Sequence, residues 1–138
     1  EAAMLRDNDA IKQSLSSHAN KSICNKLLTL LEIYGDKSVL TDVVNLFPDD
    51  ENIKTIIEKL KTVSFELEKL NVKVSFDFSD IRGYQYHSGL IFSAYSQGFP
   101  SLIAQGGRYD NINQSFGSIR PATGFSLDLR FIANNIKK

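Results

Sequence analysis

The sequence is poor in the residues that build disulfides and metal centres. It contains one cysteine, Cys24, and two histidines, His18 and His87, among 138 residues. A single cysteine cannot form an internal disulfide, and these three side chains lack the paired spacing of metal ligands. We therefore expect no bound metal and no cofactor, and structural roles for Cys24 and His18.

Long apolar runs and an excess of one charge are missing as well. No stretch approaches the roughly 20 apolar residues of a membrane-spanning helix, and no signal peptide is evident. The 16 basic and 16 acidic residues balance, whereas a nucleic-acid-binding protein needs a basic surface to neutralise phosphates. These absences predict a cytoplasmic protein that binds neither nucleic acid nor membrane.

The first half of the chain shows the 3.6-residue period of amphipathic helices. Four helices are predicted, at residues 7–17, 20–34, 37–47 and from 49 or 50 to 70. Gly35 is expected to cap the second helix in a left-handed conformation, Pro48 to stop the third and Asn71 to end the fourth. The fourth has the clearest pattern, with an apolar stripe about six turns long.

After residue 71 the apolar period changes to two, which is typical of strands. Strands are predicted at residues 72–79, 84–95, 101–105 and 122–127, followed by a closing helix from Asp128. Gly106 and Gly107 are expected to end the third strand, before a short helix or turn at residues 108–116. The short connections predict antiparallel neighbours.

Helices followed by an antiparallel sheet indicate the α+β class. The predicted organisation is a helical region at residues 1–71 and an antiparallel sheet with its closing helix at residues 72–138. The chain begins in helix-like composition without a cap or an initiator methionine. We therefore expect it to be part of a longer protein.

Two short runs place arginine beside glycine and tyrosine, a combination suited to a small-molecule site. They are residues 82–89, Arg-Gly-Tyr-Gln-Tyr-His-Ser-Gly, and residues 106–110, Gly-Gly-Arg-Tyr-Asp. Alternation along the predicted strand places Tyr84 and Tyr86 on one face and His87 on the other. Half-buried sheet aromatics would explain these residues equally well, so the runs alone leave both interpretations open.

With a third run, these two resemble the second half of the histidyl-tRNA synthetase catalytic fold. The third run is residues 121–129, Pro-Ala-Thr-Gly-Phe-Ser-Leu-Asp-Leu. The match is closer to the non-catalytic branch, the regulatory subunits of ATP phosphoribosyltransferase in histidine biosynthesis. The resemblance covers the whole chain and implies a class II aminoacyl-tRNA synthetase-like sheet preceded by a helical insert. This part would be the C-terminal portion of the catalytic-like domain.

The resemblance also implies a histidine-binding pocket and its lining. The residues that would line it are Arg82, Tyr86, His87, Gln105, Gly106 and Tyr109. A family tyrosine pair is replaced here by Tyr86 and His87, and the ATP-contacting arginine of the third class II motif is replaced by Phe131. Because phenylalanine cannot pair with a triphosphate, the pocket is expected to persist beside a lost nucleotide site.

The function implied by the resemblance is regulatory rather than catalytic. The whole protein would associate with the catalytic subunit of ATP phosphoribosyltransferase, be required for its activity and help histidine inhibit it, with self-association also expected. The alternative is a fragment of a catalytic histidyl-tRNA synthetase, and a third possibility is an unrelated α+β interaction domain.

Overall fold

The computed structural model describes Asp9 and residues 20–80, 87–110 and 121–136. Within these residues the helices are α1 (Lys21–Glu32), α2 (Val39–Leu46), α3 (Glu51–Lys69) and α4 (Leu129–Asn135). The strands are β1 (Tyr34–Gly35), β2 (Phe76–Asp77), β3 (Ile91–Ala94), β4 (Ala104–Arg108) and β5 (Thr123–Leu127). The α+β class is confirmed. The helix predicted at residues 7–17 lies, apart from Asp9, outside the described residues.

The described residues form two compact units, one up to Asp80 and one from His87 onward. The first contains α1 to α3 and a small antiparallel sheet of β1 and β2. The second contains a three-stranded antiparallel sheet in the order β3-β4-β5, followed by α4. The domain boundary at residue 71 stays a prediction.

The core of the first unit forms where the apolar stripes of α2 and α3 meet. Leu40 and Ile57 are almost fully buried, at 0% and 1% exposure, and Val43 lies beside them at 3%. Phe76 and Phe78 pack against this cluster from the segment that follows α3. Apolar residues at helical spacing and apolar residues at the alternating spacing of a strand therefore pack in the same core.

The ends of α3 follow its local sequence. The side chain of Asp50 accepts hydrogen bonds from the backbone N–H groups of Asn52 and Ile53, both at 3.0 Å, and so caps the first turn. Asn71 adopts a positive φ of 58° just beyond the helix, a conformation that asparagine tolerates better than most residues. Both predicted boundaries are confirmed.

The end of α1 differs from the prediction. The helix stops at Glu32, and Gly35 lies in β1 with a φ of 154°, so the expected left-handed glycine cap is wrong. A β-carbon at Gly35 would lie 2.9 Å from Cγ1 of Val39. Glycine is thus needed here for a close strand-to-helix approach rather than for ending a helix.

The predicted strand at residues 72–79 shortens to β2 and pairs with β1, Tyr34 opposite Asp77. The sequence could not show this partner, because pairing across forty residues is a tertiary contact rather than a local pattern. No helix in the described part of the chain is long and apolar enough to cross a membrane.

Candidate functional site

Glycines occupy the middle of the three-stranded sheet. Gly106 and Gly107 lie inside β4, and Gly107 is paired with Gly124 of β5. The expectation that the Gly-Gly pair ends its strand is therefore wrong, and the predicted strand at residues 101–105 is shifted to 104–108. Paired residues project toward the same face of a sheet, so Gly107 and Gly124 together leave a bare strip, here called the glycine floor.

The imidazole of His87 lies over the Gly107 half of the floor. A β-carbon at Gly107 would lie 2.8 Å from Nδ1 of His87 and 2.8 Å from the carbonyl oxygen of Leu90. Real β-carbons do not approach other heavy atoms this closely. Glycine at position 107 is therefore what allows the half-buried His87 ring to rest against the sheet.

The phenol of Tyr109 lies over the Gly124 half. A β-carbon at Gly124 would lie 2.6 Å from Oη of Tyr109 and 3.2 Å from its Cε1. Tyr109 follows β4, and its backbone N–H donates to the carbonyl oxygen of Ala122 at 2.9 Å. The ring thus crosses diagonally toward β5, a reach that is normal for an aromatic side chain in an antiparallel pair.

The next row of the same face is polar. Ser93, Gln105 and Ser126 are cross-strand partners, and each lies two residues from a member of the row that contains Gly107 and Gly124. The opposite face is apolar, with Phe92 and Phe125 flanking Gly106. The sheet therefore offers one face rich in hydrogen-bonding groups and one suited to packing.

An open cavity of about 550 Å³ adjoins the polar row. Gln105 and Ser126 line it together with Ile103 and the start of α4, including Asp128 and Arg130. Its volume lies within the range of small-molecule sites. The polar face thus combines two rings over a glycine floor with a neighbouring cleft.

A hydrogen-bond network around Asp110 joins the segments that carry the two rings. Its carboxylate accepts from Nε of Arg108 through both oxygens, at 3.0 and 2.9 Å, and from the N–H of Ala122 at 3.3 Å. The backbone N–H of Asp110 donates to Oγ of Ser88 at 2.8 Å. Partial burial opposes ionisation of the carboxyl, but the bonds from Arg108, Ala122 and Ser88 outweigh it and lower the pKa of Asp110.

The predicted site residues have different outcomes. His87 and Tyr109 lie over the glycine floor and Gln105 lies in the neighbouring row of the same face. Gly106 lies in the same strand, but the position of its missing side chain faces Phe125 on the opposite face, and its backbone is paired on both sides, with Phe92 and with Phe125. Arg82 and Tyr86 lie outside the described residues, and the whole set stays a prediction.

Sequence reasoning missed Gly107 and Gly124 as site residues and did not find the role of Asp110. The signal was present, because glycine inside a strand often marks a close approach of another group. It could be used only once the Gly-Gly pair was known to lie within a strand and opposite Gly124.

The start of α4 has a local structural role. The closing helix begins at Asp128, as predicted, and the Asp128 side chain caps it by accepting a hydrogen bond from the N–H of Phe131 at 2.9 Å. The Phe131 ring packs at 58° against Phe99, with 5.9 Å between ring centroids. Phe99 belongs to the turn that joins β3 to β4, so the helix start and this turn support each other.

A family model described as histidyl-tRNA synthetase matches residues 1–132. The chain belongs to the histidyl-tRNA synthetase family. The fold agrees with a crystal structure described as an ATP phosphoribosyltransferase regulatory subunit/histidyl-tRNA synthetase from Bacillus halodurans C, with a TM-score of 0.80 at 21% identity. That match covers 99% of this chain and 37% of the other, and it confirms the predicted synthetase-like fold.

Relatives within this family carry a more specific name. A protein of Methylobacillus flagellatus named ATP phosphoribosyltransferase regulatory subunit is 42% identical over 98% of this chain and 35% of its own length. One of the same name from Nitrosomonas eutropha is 42% identical over 94% of this chain and 34% of its own length. The chain spans about a third of the length of these curated relatives.

Proposed function

We propose that the whole protein is a non-catalytic regulatory subunit required for ATP phosphoribosyltransferase activity in the first step of histidine biosynthesis, and that it mediates histidine feedback. The observation that carries this proposal is the 42% identity to proteins named as that regulatory subunit. Its partners are the catalytic subunit, in a hetero-oligomer, and a second copy of itself, in the cytoplasm.

The start of α4 supports a role without adenylation chemistry. The family resemblance implies that catalytic members have an arginine against ATP at the position that Phe131 occupies in this chain. Here the Phe131 ring packs on Phe99, and the nearby carboxylate of Asp128 faces the helix start as its cap. An apolar ring and a carboxylate cannot stabilise a triphosphate, and loss of such a contact costs a few kcal/mol of transition-state stabilisation.

The polar face supports histidine as the effector. An imidazole ring carries one donor and one acceptor when neutral, and the side chains of His87 and Tyr109 can each donate and accept. Gln105 adds an amide in the adjoining row. Arg82 and Tyr86, which the resemblance assigns to the same pocket, complete the proposed lining.

The proposal is tested by mixing the whole protein with the short catalytic subunit and measuring phosphoribosyltransferase activity with and without histidine. We expect activity only in the mixture, and inhibition by histidine. Because coupling between sites is reciprocal, the catalytic subunit should change the histidine affinity of this protein. Activity of the catalytic subunit alone, or robust histidine-dependent ATP–pyrophosphate exchange by this protein, would instead favour the synthetase alternative.

Replacing Tyr109 by alanine should weaken histidine binding about 10-fold or more, since a contact to a bound polar group is lost. The measurement is calorimetric titration of the whole protein with L-histidine. Tyr34→Ala is the matched control, because Tyr34 is 61% exposed in the helical unit. Equal affinities for wild type and Tyr109→Ala would remove Tyr109 from the pocket.

A further inference from the structure

The two rings over the glycine floor come from segments that regular strand pairing does not fix. His87 precedes a stretch in which Ser88 donates its N–H to the carbonyl oxygen of Arg108, while the N–H of Arg108 donates to the carbonyl oxygen of Leu90, both at 2.9 Å. Ser88 and Leu90, which would have different partners in a regular antiparallel pair, thus both hydrogen-bond to Arg108, as in a bulge. The position of His87 consequently depends on the other hydrogen bonds of the neighbouring Ser88.

Asp110 makes such a hydrogen bond. Its N–H donates to Oγ of Ser88, next to His87, and its carboxylate binds Arg108, next to Tyr109. The same carboxylate accepts from the N–H of Ala122, two residues before Gly124. One residue therefore ties together the three segments that carry His87, Tyr109 and the far half of the glycine floor.

From these bonds we infer that Asp110 is a positioning residue, which sets the separation of the His87 and Tyr109 rings and thereby the affinity and ring selectivity of the site. This inference rests on the proposed function for the identity of the ligand. Asp110 need not touch the ligand, because its oxygens are engaged by Arg108 and Ala122.

The bonding pattern favours a carboxylate over an amide. The Arg108 Nε–H lies within 3.0 Å of both Asp110 oxygens, and Oδ1 also receives the Ala122 N–H. An asparagine keeps one acceptor oxygen and turns its NH2 group toward one of these donors. Asp110→Asn therefore weakens the side-chain bonds to Arg108 and Ala122 with almost no change in size, and leaves the backbone bond to Ser88 in place.

The test uses the whole protein, with Asp50→Asn as the matched control. Asp50→Asn removes the same charge, but asparagine caps helices as well as aspartate does, and this residue belongs to the helical unit. For Asp110→Asn we expect histidine affinity in calorimetry to fall about 10-fold, since bonds to a charged group are weakened. We expect Asp50→Asn to bind histidine like wild type.

Ring selectivity separates positioning from a general loss of stability. A less folded variant weakens binding of L-histidine and of ring-methylated histidine by the same factor, because both ligands select the same folded fraction. Displaced rings discriminate less between the two ligands. We therefore expect the ratio of the affinity for L-histidine to that for ring-methylated histidine to move toward one in Asp110→Asn. An unchanged ratio would overturn the positioning role.

A readout without ligand keeps the inference separate from the proposed function. The ring NMR signals of Tyr109, whose neighbour Arg108 loses its carboxylate partner, and of His87 should shift in Asp110→Asn and stay in place in Asp50→Asn; Tyr109→Phe and His87→Gln variants assign them. If wild type fails to bind histidine, the proposed function falls, and these signals alone decide the role of Asp110. Unmoved signals in a folded Asp110→Asn protein refute it, and should that variant fail to fold, Arg108→Lys tests the same tie by the same signals.

Discussion

Gly124→Ala is expected to abolish most histidine binding while leaving the three-stranded sheet folded. The new β-carbon would lie 2.6 Å from Oη of Tyr109, the far end of a flexible side chain, so the ring must swing off the floor. Calorimetry of the whole protein should show an affinity loss at least as large as that of Tyr109→Ala, about 10-fold or more. The far-UV circular dichroism spectrum should be unchanged.

Two further glycine-to-alanine variants serve as comparisons, one with no steric contact and one with a contact to the backbone. At Gly98, φ is 87° and no described atom lies within 4 Å of the new carbon, so Gly98→Ala should cost about 1 to 2 kcal/mol of stability and no affinity. At Gly106 the new carbon would overlap with the backbone oxygen of Gly124, so Gly106→Ala should disrupt the pairing of β4 with β5. Full histidine affinity in Gly124→Ala would contradict the role of the Tyr109 ring position in binding.

Ile57→Ala is expected to lower the free energy of unfolding of the helical unit by about 2 to 5 kcal/mol, the usual cost of emptying a core position. Ile57 is 1% exposed and belongs to the core cluster with Leu40 and Val43. Hydrogen exchange of the α3 amides in the whole protein measures this loss locally, because it reports the free energy of opening of that unit.

The neighbouring isoleucine provides the matched control. Ile56 is 54% exposed on the same helix, and alanine has the higher helix propensity. Ile56→Ala should therefore change the free energy of opening by less than about 0.5 kcal/mol. Similar losses for both variants would show that helix composition, rather than burial, controls the stability of this unit.

The helical half was predictable because its determinants are local. The Asp50 cap, the apolar stripe of α3 and the positive φ of Asn71 all depend on residues within a few positions of each other. Gly35 was misjudged for the opposite reason. It pairs in β1 with β2, which lies about forty residues away in sequence and leaves no local signal, so the helix ends earlier than predicted and glycine serves the close approach to Val39.

The candidate site was only partly predictable. The strand predicted at residues 84–95 is found as β3 at Ile91–Ala94 within the described residues, and the resemblance selected His87, Gln105 and Tyr109, which lie on one face. Consecutive glycines usually punctuate strands, so Gly106 and Gly107 were assigned to a strand end. Their place opposite Gly124 and Phe125 follows from the register of three strands, which sequence alone does not fix.

The glycine floor also has a thermodynamic consequence for engineering. Each glycine inside a strand costs roughly 0.5 to 1 kcal/mol relative to alanine, and three of them lie in the two strands β4 and β5. The sheet is therefore a weak element by composition, and the usual remedy of replacing glycine would fill the surface on which the rings rest. A more stable variant should be sought in the helical unit, where added stability and ligand binding do not compete for the same positions.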